Sequence, residues 1–368
     1  MTFQVTGSQG LFKMFVIKKL RSTYLVAYEI FVRIGIKVSY RFPILWPYWK
    51  LLNPAGSKRV MSQFLEEIKD TKTCLTLVYD FKVVPPTIGD FSYAIVLLRF
   101  LIQHGHSVTL IVINSEFRKD WSSMTCETID GFTKEIENIS LALLDKRSSQ
   151  FRVESWSSKL LSELKPESVL FSKDVFSRSG FYHLLPNLLN DLLHQTDQEM
   201  LEKILFSKSE FPVVEKSLPS DYVTLIVRSS NLWGKARNSK LEDLARTIHL
   251  VRQKISNVEI VVVSDQLTCN YFREEIQRLD LRCSFSKDYT SSFLGDVSVI
   301  FGGSHCFQLN AGGICVYPIF SDMPYLFVMD PGNYIPWARK SLTSFAKPNQ
   351  QFYGTYKKEV FFDKISRL

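Results

Sequence analysis

Apolar runs of strand length alternate with amphipathic stretches over most of the chain beyond residue 72. Residues 75–81 and 107–113 are two such runs, and the segment 88–105 between them has helical spacing and stops at Gly105. A further apolar run follows at 168–172. Strands separated by helices are typical of a parallel sheet that helices cover. Residues 56–210 are therefore predicted to form a first α/β domain.

The second half of the chain repeats this alternation. It has predicted strands at 222–228, 258–265 and 297–303, with predicted helices over 240–255 and 268–280. Residues 218–335 are thus predicted to form a second doubly wound α/β domain. The charged, proline-containing segment 206–221 lacks apolar periodicity, which predicts a linker or hinge. The aromatic and basic tail, 336–368, is predicted to pack back on the first domain.

Length and composition agree with two domains. The chain has 368 residues, of which 45% are hydrophobic, so a core can form in each domain. Its six cysteines show no CxxC or Cys/His metal spacing and lie mostly in apolar runs. They are predicted to be buried, reduced thiols in a reducing compartment.

The positive charge is concentrated near the start of the chain. The formal net charge is +8, and residues 11–50 hold eight Lys or Arg against one acidic residue, Glu29. Basic and apolar positions there fall on opposite sides of a helix, so residues 1–55 are predicted to lie on an anionic membrane surface. Packing against the folded domain is the alternative. This charge distribution does not favour nucleic-acid binding. No apolar run is long enough to span a bilayer, so no transmembrane helix is predicted. The basic segment and the reduced cysteines together predict a cytoplasmic, peripheral protein on the inner face of a membrane.

Candidate chemistry lies where strands end, because ligands bind beyond the carboxyl ends of strands in open α/β sheets. After the first strand come two prolines, then Thr87, Gly89 and Asp90. Gly89 permits a close backbone approach at the start of a helix, where N–H groups favour an anion. Asp90 is a helix-capping carboxylate or a general base that takes a proton from an acceptor hydroxyl, and the two roles are compatible.

The second domain offers polar residues after two of its predicted strands. Arg228 ends the first of them and is followed by Lys235. The planar guanidinium of Arg228 matches a phosphate, with a structural ion pair as the alternative. Asp265 ends the second and suits either a ribose hydroxyl or a helix cap.

A glycine-containing turn follows the third predicted strand of this domain. It consists of Gly302, Gly303, Ser304 and His305. Its glycines and the start of the next helix would bring N–H groups to a phosphate, and His305 would contact the ligand or fill the loop. Because all the second-domain candidates follow strands, they are predicted to share one edge of the sheet.

Common nucleotide and metal motifs are absent from the sequence. There is no GxxxxGK[ST] P-loop and no GxGxxG after a strand. There is also no Asp-x-Asp pair of the kind that holds a divalent metal against a sugar nucleotide. A diphosphate would therefore be bound by Arg, Lys and helix N-termini, and neither a metal nor a bound cofactor is expected.

These motifs resemble those of the two-domain GT-B glycosyltransferases. The stretch TIGDFSYAIVLLRFLIQHGHSVTLIV resembles the opening of that fold, and IGDF is similar to the Gly-Asp motif of heptosyltransferase-type enzymes. LIVRSS, VVVSD and VIFGGSHCFQLNAGG resemble fucosyltransferase-like donor domains, although Val227 stands where that pattern has His. The resemblance implies that Asp90 is the catalytic base and that Arg228 binds the donor diphosphate, with Asp265 and Ser304 as lesser donor-site residues.

The expected fold is two facing Rossmann-like domains, as in GT-B enzymes. The expected activity is metal-independent transfer of a sugar from a nucleotide sugar, a co-substrate, to a glycan or lipid-linked acceptor. Two alternatives remain open: a non-catalytic binding or assembly subunit with the same fold, and a nucleotide-sugar epimerase.

Overall fold

The computed structural model describes residues 74–81, 87–113, 126–144, 151–156, 169–170, 189, 192–229, 238–255, 257–310, 313–329, 347–354 and 358–368. The predicted membrane segment, 1–55, and Lys235 lie outside these residues. Within the described ranges, no helix has the length and apolar character needed to cross a bilayer.

The first domain contains a parallel sheet of four strands in the order β3-β2-β1-β4. The strands are β1 (Cys74–Asp80), β2 (Ser107–Ile113), β3 (Phe151–Trp156) and β4 (Val169–Leu170), and the helices are α1 (Ile88–Gln103), α2 (Cys126–Leu143) and α3 (Gln198–Ile204). Helix α1 ends where Gly105 takes the left-handed φ of 85°, a conformation that glycine adopts without steric cost. The predicted strand–helix–strand unit is confirmed.

The second domain contains a parallel sheet of six strands in the order β10-β9-β8-β5-β6-β7. The strands are β5 (Tyr222–Ile226), β6 (Glu259–Val263), β7 (Ser284–Phe285), β8 (Cys306–Leu309), β9 (Tyr325–Met329) and β10 (Gln350–Gly354), and the helices are α4 (Leu241–Lys254), α5 (Gln266–Arg278), α6 (Phe293–Gly302), α7 (Val316–Ile319) and α8 (Lys358–Ile365). Two parallel sheets covered by helices confirm the predicted α/β class.

The two domains share a continuous apolar core. Side chains alternate along β5, so Ile226 joins a cluster that includes helix α1 and the first sheet, whereas Leu225 joins a second cluster on the other face. We call the face of the second sheet that bears Ile226 its inner face. Helix α6 packs on this face and α7 contacts α1, so the inner face is joined to the first domain through these two helices.

The predicted strand at 297–303 is wrong, because these residues belong to helix α6 and the turn after it. Ser292 caps this helix, and its Oγ accepts a hydrogen bond from the Gly295 N–H at 3.0 Å. The helix is buried on almost every side and is apolar apart from Asp296 and Ser298, so its period does not distinguish it from a buried strand. The strand at this place in the sheet is β8, three residues further on.

The prediction that the tail packs on the first domain is wrong for its described residues, which belong to the second domain. Strand β10 pairs with β9 of the second sheet. Phe361, Phe362 and Ile365 of α8 join the apolar cluster on the face of that sheet opposite its inner face. Arg246 of α4 donates two hydrogen bonds to Glu359 at 2.8 and 2.7 Å. An extra edge strand and its helix complete the second domain.

The connector, residues 206–221, packs against both domains. Phe206 and Phe211 are buried, and the N–H of Phe206 donates to the carbonyl of Phe320 at 2.8 Å. Arg99 of α1 forms an ion pair with Glu210 at 2.8 Å. This segment lacks apolar periodicity because only a few of its residues are deeply buried and the residues between them are mostly exposed. It is therefore not free to bend along its whole length.

Candidate functional site

The carboxyl ends of the two sheets meet at a pair of glycines. A Cβ added to Gly89, in the first turn of α1, would lie 2.6 Å from the Cα of Gly313, and a Cβ on Gly313 would lie 2.5 Å from the Cα of Gly89. Gly313 begins a short 3₁₀ turn, Gly313–Cys315, just beyond the carboxyl end of β8. Only two residues without side chains can approach this closely. We call the region around this contact the interdomain edge.

The first-domain candidates lie at the interdomain edge. Thr87 precedes α1, and its carbonyl accepts a hydrogen bond from the N–H of Phe91 at 3.1 Å. Asp90 directly follows Gly89 in the first turn of the helix. Its side chain lies outside the described part of the structure. The close approach that the sequence predicted for Gly89 is made by protein backbone.

Arg228 lies two residues beyond the end of β5, at the same edge of the second sheet. Its Nη1 donates to the Oδ1 of Asn238 at 2.7 Å, and its backbone N–H donates to the Oγ of Ser239 at 3.0 Å. The Ser239 N–H in turn donates to the Arg228 carbonyl at 2.7 Å. The neutral amide oxygen of Asn238 thereby helps to orient the guanidinium.

Asn310 is a site residue that the sequence reasoning missed. It lies just beyond β8 with a φ of 71°, and its Nδ2 donates to the Asn238 carbonyl at 2.9 Å. Asn238 therefore joins the residues after β5 to the residues after β8, which are neighbouring strands. An Asn followed by small residues at the end of an apolar run was the available signal, because Asn tolerates the left-handed conformation.

Asp265 serves as the N-cap of α5. Its Oδ1 accepts a hydrogen bond from the Thr268 N–H at 2.9 Å, and its Oδ2 accepts from the Thr268 Oγ1 at 3.0 Å. The Thr268 hydroxyl also contacts the backbone of Ser229, which follows Arg228. Asp265 thus lies at the predicted edge and caps a helix, which is one of its two predicted roles.

The turn at 302–305 lies at the opposite edge of the second sheet. Because residues 293–302 are helical, Gly302, Gly303, Ser304 and His305 precede β8 instead of following a strand. The Ser304 N–H donates to the Tyr222 carbonyl at 2.8 Å, at the amino end of β5. The prediction that these four residues share an edge with Arg228 is wrong.

Packing against β5 explains Gly303 of this turn. A Cβ on Gly303 would lie 3.2 Å from the Tyr222 carbonyl oxygen, so the glycine allows tight packing against β5. Burial lowers the pKa of His305 below its usual value, which favours a neutral imidazole.

A buried ion pair follows β7. Lys287 Nζ and Asp296 Oδ2 are 2.6 Å apart, and both side chains are almost completely buried. Burial raises the pKa of Asp296 to about 6, although the ammonium of Lys287 acts in the opposite direction. This pair supports the loop that leads from β7 into α6.

No group of three or more His, Cys, Asp or Glu side chains suited to a metal occurs within the ranges that the structure describes. The described polar groups at the interdomain edge include the guanidinium of Arg228, the amides of Asn238 and Asn310 and the carboxylate of Asp265. Such groups can bind an anion and hydroxyl groups without a metal.

Comparisons with known proteins give structural likeness only. No protein-family model matches the sequence, and no curated protein matches it at the threshold of significance. The structure of E. coli heptosyltransferase WaaC with ADP is similar at a TM-score of 0.41 and 13% identity, over 80% of this chain and 100% of that one. E. coli ADP-heptose LPS heptosyltransferase II has a TM-score of 0.40 and 11% identity, over 80% of this chain and 99% of that one. A family 9 glycosyl transferase from Veillonella parvula has a TM-score of 0.40 and 10% identity, over 80% and 90%. At these identities no family is assigned to the chain.

Proposed function

We propose that this chain is a glycosyltransferase that moves a sugar from a nucleotide sugar to a glycan or lipid-linked acceptor. The supporting observation is the contact between Gly89 and Gly313, which joins the carboxyl ends of two parallel sheets. Each sheet presents its ligand-binding edge to the other, so two substrates can be held on opposite sides of one reaction centre.

On the donor side, Arg228 binds the diphosphate. Asn238 holds the guanidinium in place before the ligand arrives, so little conformational entropy is lost on binding. Lys235, which lies in the sequence between Arg228 and Asn238, supplies a second positive charge to the same diphosphate. Asp265 retains its cap and offers its remaining lone pairs to a ribose hydroxyl.

On the acceptor side, Asp90 acts as the general base. It takes the proton of the acceptor hydroxyl, whose oxygen forms a bond to the anomeric carbon while the bond from that carbon to the diphosphate oxygen breaks. The electron pair leaves with the nucleoside diphosphate, and Arg228 stabilises the negative charge that develops there. No metal takes part in this scheme.

The basic segment at residues 1–55 would keep the enzyme near a lipid-linked acceptor. Its Lys and Arg residues are attracted to anionic headgroups, and its apolar residues enter the interface. We propose a cytoplasmic, peripheral location on this ground. Co-sedimentation with vesicles of phosphatidylglycerol, and its loss at high salt, would test the attachment.

The test of the proposed function is a thermal-shift screen of the full chain against UDP-, GDP-, ADP- and CMP-sugars. ADP-heptose belongs in this panel, since one of the similar structures is named for it. We expect selective stabilisation by one nucleotide class, because a ligand that binds only the folded state raises its stability. Stabilisation by none of them would favour the non-catalytic alternative.

Two variants then separate binding from catalysis. Asp90→Asn should keep the donor affinity and lower turnover at least a hundredfold, as expected for the loss of a general base. Arg228→Gln should weaken binding of the nucleoside diphosphate about tenfold or more, since a charged hydrogen bond is lost. Conversion of the donor sugar without any acceptor would instead identify an epimerase.

A further inference from the structure

A buried glutamine at the end of β8 has an amide oxygen that the protein leaves unused. Gln308 is fully buried, and its Nε2 donates to the Asn310 carbonyl at 2.6 Å. Its Oε1 has no hydrogen-bond partner in the part of the chain that the structure describes. An unpaired acceptor in the interior destabilises a protein, and such groups are rare in native folds.

The side chain of Gln308 lies on the inner face of the second sheet. Along β8, Cys306 belongs to the cluster that includes α6, α7 and the first domain, whereas Phe307 and Leu309 belong to the cluster on the other face. Alternation therefore places Gln308 on the inner face. Its hydrogen bond to Asn310, two residues further on, directs the amide to the carboxyl end of the strand and so to the interdomain edge.

We propose that the Oε1 of Gln308 accepts a hydrogen bond from a hydroxyl group of the sugar that the nucleotide carries. This inference rests on the proposed function. An amide oxygen needs a donor, and the diphosphate oxygens have none to offer. Of the other parts of the donor substrate, the sugar is the one that must reach the first domain, where the acceptor is held. Separation of Gly89 from Gly313 as the sugar enters uncovers the amide.

A second buried glutamine in the same sheet provides a matched control. Gln350, at the start of β10, is 3% exposed. Its Nε2 donates to the carbonyls of Ser321 at 2.8 Å and Met323 at 3.0 Å, and its Oε1 accepts from the Lys347 N–H at 3.1 Å. The polar groups of Gln350 are thus all paired within the chain, whereas Gln308 keeps one acceptor for a ligand.

The experiment compares Gln308→Met with Gln350→Met by calorimetric titration of the full chain. The titrants are the sugar nucleotide that stabilises the wild type most and the matching nucleoside diphosphate. We expect Gln308→Met to bind the diphosphate as the wild type does and the sugar nucleotide about tenfold more weakly, the loss of one hydrogen bond. Gln350→Met should keep both affinities and melt several degrees lower, because two carbonyls lose their donors.

The outcomes separate this inference from the proposed function. Equal affinities of wild type and Gln308→Met for the sugar nucleotide would make Gln308 a purely structural residue and overturn the inference. Failure of the wild type to bind any nucleotide in the panel would overturn the proposed function, and the inference with it. Gln308→Leu provides a second apolar replacement if the Met variant does not fold.

Discussion

The carboxylate of Asp296, in helix α6, lies 2.6 Å from the Nζ of Lys287, which follows β7. Burial raises its pKa from 3.8 to about 6. Between about pH 4 and pH 6 the folded state therefore holds a proton that the unfolded state has released, and the contribution of Asp296 to stability falls as the pH rises through this window. Relative to Asp296→Asn, the wild type should lose on the order of 2 to 3 kcal/mol of unfolding free energy from pH 4 to pH 7.

Urea denaturation at pH 4, 5, 6 and 7 measures this difference. Asp363→Asn removes a half-exposed carboxylate from the surface of α8 and controls for the change in net charge. Parallel stability curves for the wild type and Asp296→Asn would show that Asp296 does not titrate in this range. Above about pH 7 the curves should run parallel, since Asp296 is then ionised in both states.

At the scale of elements, the contact between helix α1 and the turn Gly313–Cys315 depends on two glycines. A Cβ at either position would meet the backbone of the other at 2.5 to 2.6 Å, so Gly89→Ala or Gly313→Ala must push the elements apart. We expect each substitution to lower the free energy of unfolding by about 1–3 kcal/mol, the usual effect of overpacking. Chemical denaturation of the purified variants measures it.

Gly131 in helix α2 is the matched control. An added Cβ there would meet no atom within 4 Å. Gly131→Ala should therefore stabilise the protein by about 0.5–1 kcal/mol, because alanine favours the helix. If Gly89→Ala were also stabilising, the two domains could not be in contact at this point in solution.

The same elements show what the sequence could and could not predict. The sequence predicts the correct edge for Arg228 and Asp265, because β5 and β6 are apolar runs that polar residues follow directly. The turn at 302–305 was misplaced because α6 is buried on nearly all sides, which removes the periodicity of a helix. Gly89 was recognised as a position for close approach, but its partner, Gly313, is 224 positions further along the chain and could be found only in three dimensions.

At the scale of the whole molecule, a buried ion pair fixes the connector to the first domain. Arg99 is fully buried in α1, and its Nη1 and Nη2 donate to the two carboxylate oxygens of Glu210 at 2.8 and 3.1 Å. Its Nη2 also donates to the Leu205 carbonyl at 2.6 Å, and its guanidinium stacks on the Phe206 ring. Burial lowers the pKa of Arg99 to about 9, and the ring and carbonyls replace part of the water it loses.

The ion pair of Arg99 with Glu210, which we call the clamp, predicts that the two domains unfold together. Glu210→Ala leaves a buried guanidinium without its counter-ion and should lower the free energy of unfolding by about 3 kcal/mol. Arg99→Met should have a smaller effect, since Glu210 is partly exposed and can turn to water. The double variant should therefore be more stable than the sum of the single losses indicates, with a coupling of at least about 1 kcal/mol. Urea denaturation of all four proteins measures the cycle.

The exposed pair Glu199–Lys203 is the control for this cycle, because Glu199→Ala removes a surface interaction of about 0.5 kcal/mol or less. A free hinge at 206–221 would instead give two separate unfolding transitions and a negligible coupling between Arg99 and Glu210. A single unfolding transition that shifts as a whole in Glu210→Ala would show that the clamp belongs to the part of the protein that unfolds cooperatively. Substrate entry would then require local separation of Gly89 from Gly313, because the connector is held to the first domain by Arg99–Glu210 and to the second by the bond from the Phe206 N–H to the Phe320 carbonyl.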